Sequence, residues 1–275
     1  PAILGVSVHQ INALVDTVIA TFLAKGTISW LYYADRLIEF PLGLFGIGIA
    51  TVILPSLSRL HTNEDPKQFQ STMDWAVRFV LMMAVPAMAG LMLLGPLIID
   101  VLYERGKFTS ETGDQVYWAV MAYGSGLMSY MTVKVLAPGY FARQDTKTPV
   151  KIGIIAMISN TLLNFMLAPW LGYIGLALAT ALAATLNAFM LYRGLHKDGV
   201  YTLSTQTVVW ILKVLVATAV MSLAVYSSFA EFYPLVNNTT DALILLFGSI
   251  LAAAVIFFAM LFVLGVRLHH LKPAS

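Results

Sequence analysis

An all-α, polytopic membrane protein with eight transmembrane helices is the fold this sequence predicts, and three observations predict it. Of 275 residues, 59% are hydrophobic and only 11% charged, about half the charged share of an ordinary soluble domain. Apolar runs of roughly 20 residues, the length that crosses a bilayer as a helix, recur along the whole chain. Lys and Arg collect in alternate connections between those runs, as the positive-inside rule demands. With a mean hydropathy of +0.81, most of the chain needs lipid as its solvent.

The first span is expected over 3–23 and the second over 28–60, which is too long for one straight crossing. Pro41, Gly43, Gly46, Gly48 and Pro55 inside it predict a kink or a break. The third span runs over 69–94, where Gly95-Pro96 is expected to end the helix before a short amphipathic piece. The remaining five are expected over 115–137, 149–167, 172–192, 207–227 and 242–264.

The 16 Lys and Arg residues test this division. Arg59, Lys67, Arg143, Lys147, Lys151, Arg193, Lys197, Arg267 and Lys272 fall on one side of the membrane, against Lys25, Arg105 and Lys107 on the other. The basic side is the cytoplasm, so the first helix starts there and the C-terminus ends there. The chain opens on Pro1 with no charged leader before the first apolar run, which reads as part of a longer protein.

Several function classes find no support. A net charge of +2 and the lack of a basic run interleaved with aromatics give nothing for nucleic acid. Without Cys there are no disulfides or thiolate metal sites. Gly-rich phosphate loops, Ser-His-Asp sets and HExxH are all missing, so no catalytic constellation is visible.

Ionisable residues inside spans carry the functional signal, because each costs several kcal/mol at mid-membrane unless it faces a cavity or a partner. Arg36 and Glu39 lie about 12–17 Å along the second span at 1.5 Å per residue. Their i, i+3 spacing puts them on one face just before Pro41, with Asp35 pointing elsewhere. They are either an ion pair that fixes helix packing or the wall of a hydrated cavity in which Arg36 grips an anion. Phosphate suits Arg, whose planar fork donates two parallel hydrogen bonds. A second group is matched by depth: Asp16 on the first span, Asn160 and Asn164 four apart on the fifth, and Thr180 on the sixth. One carboxylate, two amides and a hydroxyl there can surround a small hard cation such as sodium, or can simply glue helices together. Lys134 and Lys213 are placed to snorkel toward the basic side, and Asp74 with Arg78 reads as an interfacial i, i+4 pair.

Tyr32 to Glu39 followed by Phe40-Pro41-x-Gly43-x-x-Gly46, then Leu54-Pro55-Ser56-Leu57-Ser58, resembles the hallmark stretch of the MurJ/MviN family. The run from Lys134 through Ala137-Pro138-Gly139-Tyr140 to Pro149-Val150-Lys151 resembles a second family motif, and Gly5-Val6-Ser7-Val8-x-Gln10-Ile11-Asn12 resembles the start of its seventh helix. The resemblance implies the multidrug/oligosaccharidyl-lipid/polysaccharide exporter fold, with two six-helix lobes and two extra helices. This chain would supply helices seven to fourteen: a lobe over 1–196 and the extra pair, with a lipid-tail groove, over 197–275.

The resemblance further implies a bacterial cytoplasmic-membrane flippase. Its substrate would be lipid II, the undecaprenyl-pyrophosphate-linked peptidoglycan precursor, moved from the inner to the outer leaflet by alternating access. Arg36 and Glu39 would line the central cavity, with Arg36 engaging the head group. Some members bind sodium, and the matching ligands here are Asp16, Asn160, Asn164, the Leu176 carbonyl and Thr180. Asn164 stands where a second carboxylate would strengthen that site. Rocking needs two bodies around one site, so a lobe of helices one to six is the expected partner, beside lipid II and membrane lipids. A drug/cation antiporter of the same superfamily and a non-transporting scaffold in cell-wall assembly are the alternatives.

Overall fold

A computed structural model describes residues 2–104, 106, 108–233 and 238–267, with backbone alone for 2–9 and 47. Arg105, Lys107 and Lys272, which entered the charge tally, lie outside the described residues. Every regular element described is helical: α1 (Ala2–Thr21), α2 (Thr27–Pro41), α3 (Gly48–Thr62), α4 (Pro66–Tyr103), α5 (Ser110–Gly124), α6 (Leu127–Phe141), α7 (Lys147–Leu171), α8 (Tyr173–Lys197), α9 (Thr205–Phe232) and α10 (Thr239–Val263). Six helical segments are long and apolar enough to cross a membrane: Thr27–Thr62, α4, α7, α8, α9 and α10.

The break expected in the second span is a π-helical turn over Leu42–Ile47, joining α2 to α3 without ending the helix. Pro41 has no N–H to give the ladder, and π turns commonly absorb such a gap.

Two expectations need correcting. Gly95-Pro96 does not end the third helix, because α4 continues for 38 residues through both. Pro96 frees the Met92 carbonyl four residues back, and the Tyr117 hydroxyl donates to that carbonyl at 2.9 Å. Gly95 makes room for the donor, since a Cβ there would stand 2.8 Å from the Tyr117 ring. Tyr117→Phe is therefore expected to cost about 1 kcal/mol, read as a lower thermal midpoint in detergent. An unchanged midpoint would mean that Met92 is satisfied by another donor.

The second correction concerns the span expected over 115–137. It is two helices, α5 and α6, of 15 residues each, about 22 Å apiece at 1.5 Å per residue and too short to cross singly. They meet at Ser125-Gly126, where the backbone presses on α8. A Cβ on Gly126 would come within 2.8 Å of the Ala181 Cα.

Two apolar cores organise the helices. The larger gathers Ala34, Ile53, Leu57, Met73, Val80, Val116, Leu127, Met131, Tyr140 and Leu195 from α2 to α8. The smaller joins Met82, Leu94 and Leu97 of α4 to Trp210, Val214, Ala217 and Met221 of α9 and Phe257 and Leu261 of α10. Helix α4 thus serves both cores. Its polar groups also hold α9 at each end: Arg78 and Asp74 near the start, and Asp100, which accepts from the Tyr233 hydroxyl at 2.9 Å, near the finish.

Candidate functional site: a cationic stripe and a buried oxygen cluster

Helix α2 buries Leu31, Ala34, Leu37 and Ile38 in the larger core, which turns Tyr32, Arg36, Glu39 and Phe40 outward. Arg36 donates through Nη1 to Glu39 Oε2 at 2.5 Å, and its guanidinium lies 4.9 Å from the centre of the Tyr32 ring. Both members of the pair remain about half exposed, 52% and 49%. Asp35 is exposed as well, beside the pair rather than away from it. The stripe ends at the π turn, where a Cβ on Gly46 would stand 3.6 Å from Lys134 Cγ. In a membrane span such a stripe needs water, a charged partner or both.

The second predicted group does assemble. Asn164 Nδ2 donates to Asp16 Oδ1 at 2.6 Å and to Asn160 Oδ1 at 3.0 Å. Asn160 Nδ2 reaches Thr180 Oγ1 at 3.1 Å, and Thr180 donates to the Leu176 carbonyl at 3.0 Å. Asn12, one turn before Asp16, donates to Asp16 Oδ2 at 3.3 Å. Asn160 and Asn164 are almost wholly buried, and Asn164 Oδ1 has no hydrogen-bond partner.

The Asn160 amide is ambiguous in an informative way. With its nitrogen toward Thr180, its oxygen stands 3.0 Å from both Asp16 Oδ1 and Asn12 Oδ1. Three acceptors at that spacing call for a cation among them. Turned over, the nitrogen donates to Asp16 and Asn12 while the oxygen accepts from Thr180, and the cluster is satisfied without an ion. The donor set of one carboxylate and several neutral oxygens suits a monovalent hard cation better than a divalent one. Among the described residues no group of three or more His, Cys, Asp or Glu side chains is placed to hold a metal.

Sequence reasoning missed two features. Asn12 was passed over although its i, i+4 spacing to Asp16 repeats that of Asn160 and Asn164. Asp74 and Arg78 are no simple interfacial pair. Asp74 is buried and accepts from the Tyr201 and Thr207 hydroxyls at 3.0 and 3.1 Å. Arg78 donates to Thr207 Oγ1 at 2.7 Å and Ser204 Oγ at 3.2 Å, with Asp74 Oδ2 at 3.8 Å. Nothing in the local spacing signals that loop 198–204 would fold onto α4.

The sequence profile of the family described as "Lipid II flippase MurJ" matches residues 1–238. A Vibrio cholerae protein named probable lipid II flippase MurJ is 50% identical over 276 residues, covering 100% of this chain and 53% of the relative. The Haemophilus influenzae protein of that name is 48% identical over 282 residues, covering 98% and 54%. The chain therefore spans about half the length of these curated relatives. Among solved structures, a lipid II flippase MurJ in an inward closed conformation aligns with a TM-score of 0.80 at 29% identity, over 94% of this chain and 52% of that one. An outward-facing multidrug resistance transporter of the MATE family aligns with a TM-score of 0.64 at 14% identity, over 98% and 64%, a likeness of fold alone. The profile match over most of the chain, on a fold shared with a solved family member, establishes that this chain belongs to the MurJ family.

Proposed function

We propose that this chain is the C-terminal half of a lipid II flippase of the bacterial cytoplasmic membrane. The whole protein would carry the undecaprenyl-pyrophosphate-linked peptidoglycan precursor from the inner to the outer leaflet by alternating access. The observation that carries this reading is the half-exposed Arg36–Glu39 pair on the outward stripe of α2, beside a π turn. A charged face at that depth requires a hydrated cavity, and a second lobe packed against the stripe would close one. The guanidinium fork then meets the pyrophosphate, while Glu39 and Tyr32 hold its orientation.

In this reading α1 and the α5–α6 pair complete eight crossings, with the C-terminus in the cytoplasm on the basic side. Residues 1–196 form the lobe. Residues 197–275 supply the extra helices, whose apolar outer face, including Phe247, Leu251 and Phe258, suits the lipid tail. The preceding half of the complete protein supplies helices one to six. Expression of the complete protein should restore growth and cell shape to bacteria depleted of their own lipid II flippase. Failure at normal membrane abundance would favour the antiporter or scaffold reading.

Sodium at Asp16, Asn12, Asn160, Asn164, Leu176 and Thr180 is part of the proposal. The acceptors crowded around Asn160 support it, and when bound the ion would tie α1 to α7 and α8. At a concentration ten times its dissociation constant, sodium would stabilise the protein by about 1.4 kcal/mol. The expected result is a higher thermal midpoint in sodium than in choline at equal ionic strength, lost in Asp16→Asn. Equal midpoints would assign the cluster to helix packing.

A further inference from the structure

Between α4, the first third of α9 and the end of α10 lies a cavity of about 400 Å³, lined by Arg78, Gln206, Trp210, Lys213, Gly265 and Val266. It is built from helices other than α2, which carries the Arg36 stripe, and from other side chains than the Asp16 cluster. Its chemistry is cationic and its setting is apolar.

Lys213 is the unusual member. It stands eight residues beyond the start of α9 at Thr205, about 12 Å along the helix, with the smaller core packed beside it. An ammonium at that depth is costly unless an anion or water meets it. Yet among the described residues no ion pair or hydrogen bond reaches Lys213. Its side chain turns back toward the helix start, and Nζ lies 3.9 Å from where a Cβ on Gly265 would stand. That is snorkelling which stops inside a walled cavity.

Arg78 forms the opposite wall. Its Nε and Nη2 are held by Thr207 and Ser204, so the guanidinium is fixed in place. Asp74, 3.8 Å from it, offsets that one charge and leaves Lys213 uncompensated. Trp210 lies one turn before Lys213 on the same wall, with the amphipathic character favoured at the level of lipid head groups. A fixed cation, an unmatched cation and an indole at the mouth of a helix cleft form the kind of basic pocket that recognises anionic lipid head groups.

We propose that this cavity binds the phosphate of an anionic phospholipid, of the phosphatidylglycerol class, in the leaflet on the basic side of the membrane. Lys213 is the defining contact and Arg78 the second. The bound lipid would occupy a position separate from the transported substrate, sealing the end of the α9–α10 hairpin against α4. Which leaflet it comes from rests on the orientation proposed above, while the binding itself does not depend on transport.

The test is native mass spectrometry of the complete protein in detergent, titrated with phosphatidylglycerol or with phosphatidylcholine of the same acyl chains. A single charge contact near a membrane surface supports roughly a five- to tenfold change in affinity. The wild type should prefer phosphatidylglycerol by about that factor. Lys213→Gln should lose most of the preference, and Lys213→Arg should keep it to within about twofold. Millimolar inorganic phosphate should leave the lipid bound. Thermal midpoints in phosphatidylcholine alone check that each variant is folded. Equal binding of the two lipids, an unchanged preference in folded Lys213→Gln, or displacement by inorganic phosphate would each overturn the proposal, the last by revealing a pocket for free anions.

Discussion

Arg36→Ala in the complete protein should abolish rescue of cells depleted of their own lipid II flippase, at unchanged membrane abundance. Colony counts should fall by at least about tenfold, the effect of losing one charge-assisted contact of 1.4 kcal/mol or more. The residue is half exposed and its only listed ion-pair partner is three residues away on the same helix, so its loss should scarcely affect folding. That separation makes the result interpretable. Arg36→Lys should rescue in part, because the charge survives while the two-pronged geometry does not. Full rescue by Arg36→Ala would reduce the pair to helix packing.

The second large effect is expected at the junction between the two cores. Asp74→Ala removes the acceptor of the Tyr201 and Thr207 hydroxyls and the carboxylate nearest Arg78. An arginine left buried without its countercharge costs roughly 3 kcal/mol, so the thermal midpoint in detergent should drop sharply. Replacing both partners by apolar residues, as in Asp74→Leu with Arg78→Met, should recover a large part of the loss, because neither charge then remains to be desolvated. A midpoint for Asp74→Ala matching the wild type would show that the network carries no stability.

Much of this was legible in one sequence because membrane spans obey short rules. Length and apolar content located the helices to within a few residues, and the i, i+3 spacing of Arg36 and Glu39 put them on one face without knowledge of any neighbour. Matching depths brought Asp16, Asn160, Asn164 and Thr180 together, since helices that cross the same slab share its coordinates. What escaped depended on partners distant in sequence. Gly95-Pro96 looks like a helix end until Tyr117 is seen to serve the Met92 carbonyl. Gly126 looks like an ordinary small residue until Ala181 is found against it. Asp74 looks interfacial until a loop more than a hundred residues later folds onto it. Local pattern is blind to donors that arrive from another helix.

The π turn at Leu42–Ile47 can also be considered as a matter of angular phase. A regular α-helix advances by about 100° per residue, so Arg36 would dictate the heading of every side chain after it. Six residues wound more loosely release that constraint. The stripe that carries Arg36 and Glu39 can therefore keep its heading while Ile53 and Leu57 keep theirs in the core. One residue added or removed on either side would swing the following half by more than a quarter turn in an unbroken helix. Here the loose turn is where such a change can be taken up, so the charged half and the packed half of one crossing can vary separately.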